Sequence, residues 1–363
     1  MQKYGFIFGL RNFSLILHAK NGIIMKNLNI LIILCFLFLF SCKSDQPDKV
    51  VVAYIAVKNR PLPDPSYLTH INFAFGTVNN TFDGIVVSRP ERLREVVALK
   101  KINPALKVAL AIGGWKAGGF SEMASTVTTR KAFAQDCKRV IDEFGLDGID
   151  MDWEYPSSSA AGITASPEDI DNFTILMKDI REAIGKDKVL TVATISTAKY
   201  VDFKAIDPYV DLVNVMAYDM ARPPYHHSAL YRSTISDRMS SSEAVSAHLE
   251  AGVPRNKIVL GMPFYGHGTK GLPDFVYYRD IINLSGYTKH WDDEAKVPYF
   301  TNDEDDFVLC YEDSESIAIK CAYIKETGIR GAMYWESHLD DDNLTLTKAV
   351  YHGLFKSSKK RLL

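Results

Sequence analysis

The sequence predicts an α/β protein, an eight-stranded (β/α)8 barrel, and three observations predict it. Eight short β-rich runs, most of them followed by helical sequence, recur over about 300 residues. Repeated strand–helix units imply a parallel sheet, and eight of them suit a closed barrel of ~250 residues plus insertions. The competing topology is an open doubly wound sheet, but no G-x-G-x-x-G follows the first strand, so its dinucleotide-binding form has no support. The third observation is a run of alternating acidic and apolar residues at the end of the fourth predicted strand, Asp147-Gly-Ile-Asp150-Met-Asp152-Trp-Glu154. Functional groups of such barrels sit at the C-terminal ends of strands.

Taken in order, the first predicted strand is the β-branched run Val50 to Val57, and Thr69 to Phe75 is the second. Arg92 to Lys101 reads as a helix, Lys107 to Ile112 as the third strand, and Thr128 to Phe144 as a long amphipathic helix leading into the acidic strand 147 to 154. Ser166-Pro-Glu-Asp169 has the pattern of a helix start, with Ser166 as N-cap and Pro167 at the first position; that helix runs to Ile184 and closes at Gly185. Strands are predicted at Val189 to Ile195, Val210 to Tyr218 and Lys257 to Phe264, with a helix at Ser241 to Ala251 before the last of these. A helix at Ser314 to Thr327 precedes the eighth strand, Gly331 to Trp335, and Leu344 to Leu354 closes the barrel region as helix. One stretch breaks the rhythm: residues 266 to 311, rich in Tyr, Asp and Pro, read as a small α+β insertion between strands seven and eight.

The acidic run carries the chemistry. In an extended strand residues two apart face the same side, ~6.6 Å apart, so Asp150, Asp152 and Glu154 form a ladder of carboxylates while Ile149, Met151 and Trp153 pack behind it. Like charges this close push at least one pKa up. A carboxyl kept protonated near neutral pH is what general-acid catalysis requires.

Composition narrows the function classes. The chain has 363 residues, 47% apolar and 24% charged, with a net charge of −2, and it carries no basic block that would track phosphates, which argues against nucleic acid as a partner. The N-terminus is a separate object. Met25-Lys26-Asn27 followed by the apolar run Ile30 to Phe40 has the order of a signal peptide, and the run is too short to span a bilayer as a helix. Leu39-Phe40-Ser41-Cys42 resembles the lipobox of bacterial lipoproteins, in which the cysteine becomes acylated. The expected organisation is therefore an extension at 1–24 preceding the true start, a signal at 25–41, a lipidated Cys42 opening a polar tether at 42–49, and a catalytic region at 50–357. Export to an outer membrane or cell surface follows, with plain secretion as the alternative. Cys137, Cys310 and Cys321 match no zinc spacing and read as packing residues. His226-His227 lacks a third metal ligand at fitting spacing, so neither a metal nor any other cofactor is expected.

These residues resemble glycoside hydrolase family 18, the chitinase family, whose D-x-x-D-x-D-x-E signature is similar to Asp147 through Glu154. The likeness runs from Val50 to about Asn343. Tyr54 resembles the family's first-strand tyrosine, Ile71-Asn-Phe-Ala-Phe75 its second strand, Ala111-Ile-Gly113-Gly114-Trp115 its S-x-G-G segment, Met216-Ala-Tyr218-Asp219 its M-x-Y-D, and Trp335 its eighth-strand tryptophan. The resemblance implies a retaining, substrate-assisted hydrolysis of β-1,4 bonds between N-acetylglucosamine units. Glu154 would protonate the glycosidic oxygen, and the substrate's own acetamido carbonyl would attack the anomeric carbon to give an oxazolinium ion. Asp152 would accept a hydrogen bond from the acetamido N–H and share a proton with Asp150, aided by Tyr54. Tyr218 and Asp219 would position the acetyl group and the ring, and Trp335 would floor the sugar. Phe75, Gly113, Gly114, Trp115, Tyr155 and Met216 complete the implied binding set, and Trp115 and Trp291 are candidate sugar-stacking rings.

Two departures from the family pattern stand out. Ala111 replaces the usual serine, which predicts a missing donor to Asp150, and His267 stands where an arginine often follows the seventh-strand glycine. The partners expected are chitin or N-acetylglucosamine oligomers, with membrane contact through the lipid anchor alone and a monomeric protein. An endo-β-N-acetylglucosaminidase acting on N-glycans uses the same chemistry and is the alternative. A non-catalytic chitin-binding lectin on the same barrel would lack the acid at Glu154.

Overall fold

The computed structural model describes residues 49–56 and 61–355. The predicted extension, signal peptide and Cys42, and the tether up to Asp48, lie outside these residues, as does Val57 at the predicted end of the first strand.

Fourteen strands are described. In chain order they are β1 (Val50–Ile55), β2 (His70–Val78), β3 (Ile85–Val87), β4 (Lys107–Gly113), β5 (Gly148–Asp152), β6 (Val189–Ile195), β7 (Leu212–Met216), β8 (Ile258–Pro263), β9 (Tyr265–Gly268), β10 (Val276–Tyr277), β11 (Thr288–Asp292), β12 (Val297–Thr301), β13 (Phe307–Cys310) and β14 (Gly331–Trp335). Eight of them run parallel in the order β1-β14-β8-β7-β6-β5-β4-β2, and β1 pairs with both β14 and β2, so the sheet closes on itself. This is the (β/α)8 TIM barrel that the sequence predicts. The short β3 adds antiparallel to β2 and does not take part in closure.

The strands are buried on both faces, which is why they are rich in β-branched and aliphatic residues rather than alternating cleanly. The outer helices show ordinary stop and start chemistry. Thr126 caps Val127–Phe144 by accepting from the Thr129 N–H, and Gly145 ends that helix at φ 70°. Ser240 and Glu243 form a reciprocal capping box for Ser241–Glu250. Asp313 caps Ser314–Thr327 in the same way.

Several predicted boundaries shift. Ser166 is not an N-cap: the helix spans Asp169–Ile184, and Asp169 is buried, accepting from the Ser166 N–H at 2.8 Å and the Ser121 hydroxyl at 2.7 Å. A buried carboxylate with donors to gather outweighs the local capping pattern here. The acidic strand narrows to Gly148–Asp152, so Trp153 and Glu154 lie just past the last ladder bond. The sixth barrel strand likewise stops at Met216, ahead of Tyr218 and Asp219, and Asp219 sits in the left-handed region at φ 57°.

The insertion is more ordered than the sequence suggests. It forms a five-stranded antiparallel sheet, β10-β9-β13-β12-β11, with one short helix, Tyr278–Ile281. Its strands are two to five residues long, too short to show a period against the background of Tyr, Asp and Pro.

Gly148 opens the strand that bears the carboxylates, and a Cβ added there would stand 2.1 Å from the Val189 carbonyl oxygen of the adjacent strand. Backbone cannot yield as a side-chain tip can, and overpacking typically costs about 1–3 kcal/mol. Gly148→Ala should therefore lower the midpoint of urea unfolding by a corresponding amount; an unchanged midpoint would show that β5 and β6 can separate at no cost.

Candidate active site

Asp150 lies at the centre of the barrel, fully buried. Desolvation pushes its carboxyl up, and hydrogen bonds oppose the shift. Tyr54 donates to Oδ2 at 2.6 Å, while the Thr191 hydroxyl and Asn214 Nδ2, the latter at 3.1 Å, donate to Oδ1. The donors come from β1, β6 and β7. Ala111 pairs in register with Asp150, but the shortage of donors predicted from its missing hydroxyl does not arise, since Thr191 and Asn214 supply the bonds. No hydrogen bond joins Asp150 to Asp152 among the described residues, and the charge of Asp150 helps to raise the Asp152 carboxyl.

Two residues on, Asp152 is also buried, and its Oδ1 has no hydrogen-bond partner among the described residues. Burial, then the charges of Glu154 and Asp150, raise its carboxyl well above the usual range. Glu154 is pushed up to about 7: burial raises it, a hydrogen bond from Tyr155 pulls it partly back, and the Asp219 charge raises it again. Tyr218 keeps its proton because of burial and the neighbouring Asp152 carboxyl. Among the described residues its hydroxyl faces only the weak Met333 sulfur acceptor, at 3.9 Å. A buried acceptor without a donor therefore sits close to a phenol without a strong acceptor and a carboxyl that holds its proton to neutral pH.

These groups open into a cleft of about 760 Å³. Its wall includes Tyr54, Phe75, Trp115, Tyr155, Met216 and Trp335 beside the polar set Asp152, Glu154, Tyr218 and Asp219. Trp335 stacks on Phe75 at 5.7 Å and leans on Tyr54 at 5.6 Å, which makes an aromatic floor. Trp115 is 54% exposed at the rim, where an indole face can meet a sugar. The peptide bonds Ala74–Phe75 within β2, Glu154–Tyr155 after β5 and Trp335–Glu336 at the end of β14, all beside the cleft, are cis.

The sequence profile of glycosyl hydrolases family 18 matches residues 45–340. The chain belongs to glycosyl hydrolases family 18. It is 34% identical over 317 residues to chitinase A1 of Niallia circulans, covering 73% of this chain and 45% of that protein. It is 31% identical to chitotriosidase-1 of Mus musculus, covering 77% of this chain and 68% of the relative. The chain thus spans less than half the length of the first relative and about two thirds of the second. Among solved structures, a cell-surface-expressed multi-modular chitinase from Paenibacillus sp. superposes with a TM-score of 0.79 at 32% identity, over 86% of this chain and 43% of that one. A family 18 N-acetylglucosaminidase from Paenibacillus barengoltzii gives 0.76 at 34% identity, over 85% of this chain and the whole of that one.

Within this family 18 barrel, ten of the residues singled out from the sequence line one cleft, and Asp150 lies beneath it. Three assignments change. Gly113 and Gly114 are not among the lining residues: a Cβ on Gly113 would stand 2.0 Å from the Asp152 carbonyl oxygen, and one on Gly114 would stand 2.7 Å from the Phe75 ring. Both have positive φ, 127° and 93°, so they serve the close packing of the strand ends rather than contact with a ligand. Trp291 belongs to β11 in the inserted lobe and does not line the cleft. Asp147, the first acid of the signature, sits at the other end of the barrel, where it pairs with Lys100 at 2.8 Å and accepts from the Val108 N–H.

Sequence reasoning missed Tyr200, Arg222, Tyr265 and Phe275 in the wall. Tyr200 stacks on Tyr155 at 5.5 Å and Phe275 on Tyr265 at 4.2 Å. Tyr265 is the one with a detectable signal, because it directly precedes the seventh-strand glycine that His267 follows. The spacing argument against His227 also fails in the fold. Asp219, His227 and His267 each offer a ligand atom within 4.8 Å of the others, because β9 brings His267 back across the loop after β7.

The raised Glu154 carboxyl has a sign that can be checked. The folded chain holds this proton where an unfolded one, at about 4.5, has lost it, so this group's contribution to stability falls as pH rises from about 4.5 toward 7. Carboxyl NMR should place the Glu154 midpoint near pH 7 in the wild type and lower it in Asp219→Asn, which removes a repelling charge. A wild-type midpoint at 4.5 would mean that water reaches the carboxyl.

Proposed function

We propose that the protein is a chitinase that cleaves β-1,4 bonds between N-acetylglucosamine units with retention of configuration, using the substrate's acetamido group as nucleophile. The observation that carries this reading is the pair of unmatched polar groups in the cleft. The Asp152 oxygen without a donor suits an acetamido N–H, and the Tyr218 hydroxyl without a strong acceptor suits the acetamido carbonyl. Held between them, the carbonyl oxygen is turned toward the anomeric carbon of the same sugar, and such orientation is worth several kcal/mol of barrier. Glu154, protonated up to about pH 7, gives its proton to the leaving oxygen as the C–O bond breaks and the oxazolinium ring closes. The resulting carboxylate then takes a proton from the water that opens the ring, which restores the acid and retains configuration. Trp335 and Phe75 supply an apolar floor for the sugar, and Asp150 sets the charge environment of Asp152 from below.

The chitinases among the relatives support this substrate class. The aromatic rim and the inserted lobe, whose Tyr265 and Phe275 wall the cleft, favour an extended polysaccharide over a single branched glycan core. The presence of Glu154 separates this reading from a lectin.

We also infer that Cys42 carries a lipid anchor. The family match begins at residue 45, three positions beyond it, and a polar stretch, Lys43 to Asp48, links the two.

Glu154→Gln should retain the fold and oligosaccharide binding while lowering kcat on a chitin oligomer about 10²–10⁴-fold. In the wild type the first product seen by NMR should be the β-anomer. A variant that keeps a tenth of the wild-type kcat would remove Glu154 as the acid, and release from a high-mannose glycoprotein exceeding that from chitin oligomers would favour the N-glycan alternative. For the anchor, wild-type protein should fractionate with membranes and partition into detergent, whereas Cys42→Ser should not. Recovery of the wild type in the medium with an N-terminus beyond Cys42 would establish simple secretion.

A further inference from the structure

At the edge of the cleft, two imidazoles and a carboxylate converge in a way the hydrolytic scheme does not use. His267 Nδ1 is 2.6 Å from the Asp274 carbonyl oxygen, which can only accept, so Nδ1 carries a proton and Nε2 faces Asp219 Oδ1 at 2.6 Å. Asp274 Oδ1 also lies 3.2 Å from Nδ1. The His227 ring stands nearly perpendicular to that of His267, at 4.7 Å and 82°. It is fully buried, and neither of its nitrogens has a hydrogen-bond partner among the described residues; Nδ1 lies 3.7 Å from Asp219 Oδ1, too far for a hydrogen bond. A buried polar ring left without partners calls for an explanation.

We propose that Asp219, His227 and His267 form a binding site for a late first-row divalent cation of the zinc or nickel type. Two imidazole nitrogens and one carboxylate oxygen are a donor set that suits these ions over calcium or magnesium. The ligand atoms already lie within 4.8 Å of one another, and an ion binding there would release the proton held between His267 and Asp219 to solvent.

The surroundings match those of a built metal site. The Asp274 carbonyl fixes the tautomer of His267, as outer partners of ligating histidines do, and the Tyr265 hydroxyl donates to Asp219 Oδ1 at 2.7 Å. The nearby cations are engaged elsewhere: Arg222 pairs with Asp274 at 2.9 Å, and Lys320 pairs with Glu312. Asp219 lines the cleft, so the remaining coordination positions open into it. A cation bound there would take the carboxylate assigned to sugar positioning and inhibit hydrolysis; this consequence, unlike the site itself, rests on the chitinase reading.

The test is calorimetric titration of Zn²⁺ into the chelator-treated full chain without an affinity tag. Saturable binding of one ion per chain is expected, weakened at least ~10-fold in His227→Ala, since loss of a direct ligand should exceed the 10-fold lower bound known for outer-shell partners. Titration of Co²⁺ into the wild type gives a second readout that needs no variant: its visible absorption should intensify as imidazoles replace water. Absence of Zn²⁺ uptake by the wild type, a Co²⁺ spectrum unchanged from the free ion, or equal affinity in a folded His227→Ala would each overturn the site. Zn²⁺ binding without inhibition of chitin cleavage would leave the site standing and overturn the role given to Asp219.

Discussion

A single buried carboxylate holds the site together. Asp150 has no access to water, and an unpartnered charge in such a place is costly enough that donors must be brought to it. Those donors are Tyr54, Thr191 and Asn214, on three different strands of the barrel. The network can form only if β1, β5, β6 and β7 are closed around one axis, so the polar core and barrel closure support each other. With Asp150 fixed, the strand pleat places Asp152 above it and directs the chain toward Glu154 at the mouth of the cleft.

From that constraint comes a gradient of environments along five residues. Asp150 is buried and satisfied, Asp152 is buried and short of a donor, and Glu154 is at the edge of the cleft and holds its proton to about pH 7. Chemically similar groups acquire separate tasks because their surroundings differ. Asp219 provides the contrast. Burial alone would raise its carboxyl, but the imidazoles of His227 and His267 and the Tyr265 hydroxyl hold it well below the usual range. One cleft thus contains a carboxyl kept protonated and another kept ionised. The same imidazoles that keep Asp219 ionised make its surroundings a candidate metal site.

Much of this was legible in the chain. The alternation over Asp150 to Glu154 announced both a strand and a carboxylate ladder, and the β-branched runs announced barrel strands whose positions shift by only a few residues in the structure. Short-range signals misled where burial intervened. The Ser166-Pro-Glu-Asp169 pattern suggested a cap, but Asp169 turned inward to gather donors from Ser121 and Ser166. Gly113 and Gly114 suggested room for a ligand, whereas the space beside them is filled by the Asp152 backbone and the Phe75 ring. The strands of the inserted lobe were hidden because runs of two to five residues show no period.

The sequence by itself determined the fold class, the order of its elements and the residues of the acidic strand, because periodicity and residue type are local properties that survive without neighbours. The tertiary structure decided which donors reach Asp150, making good the hydroxyl absent at Ala111, and which aromatic rings face the cleft. It also decided that His227, His267 and Asp219 meet. These include contacts between residues 160 positions apart, as Tyr54 and Asn214 are. No pattern along the chain encodes them, and they exist only because closing the barrel and folding the lobe back over its mouth bring distant strand ends within a few ångströms.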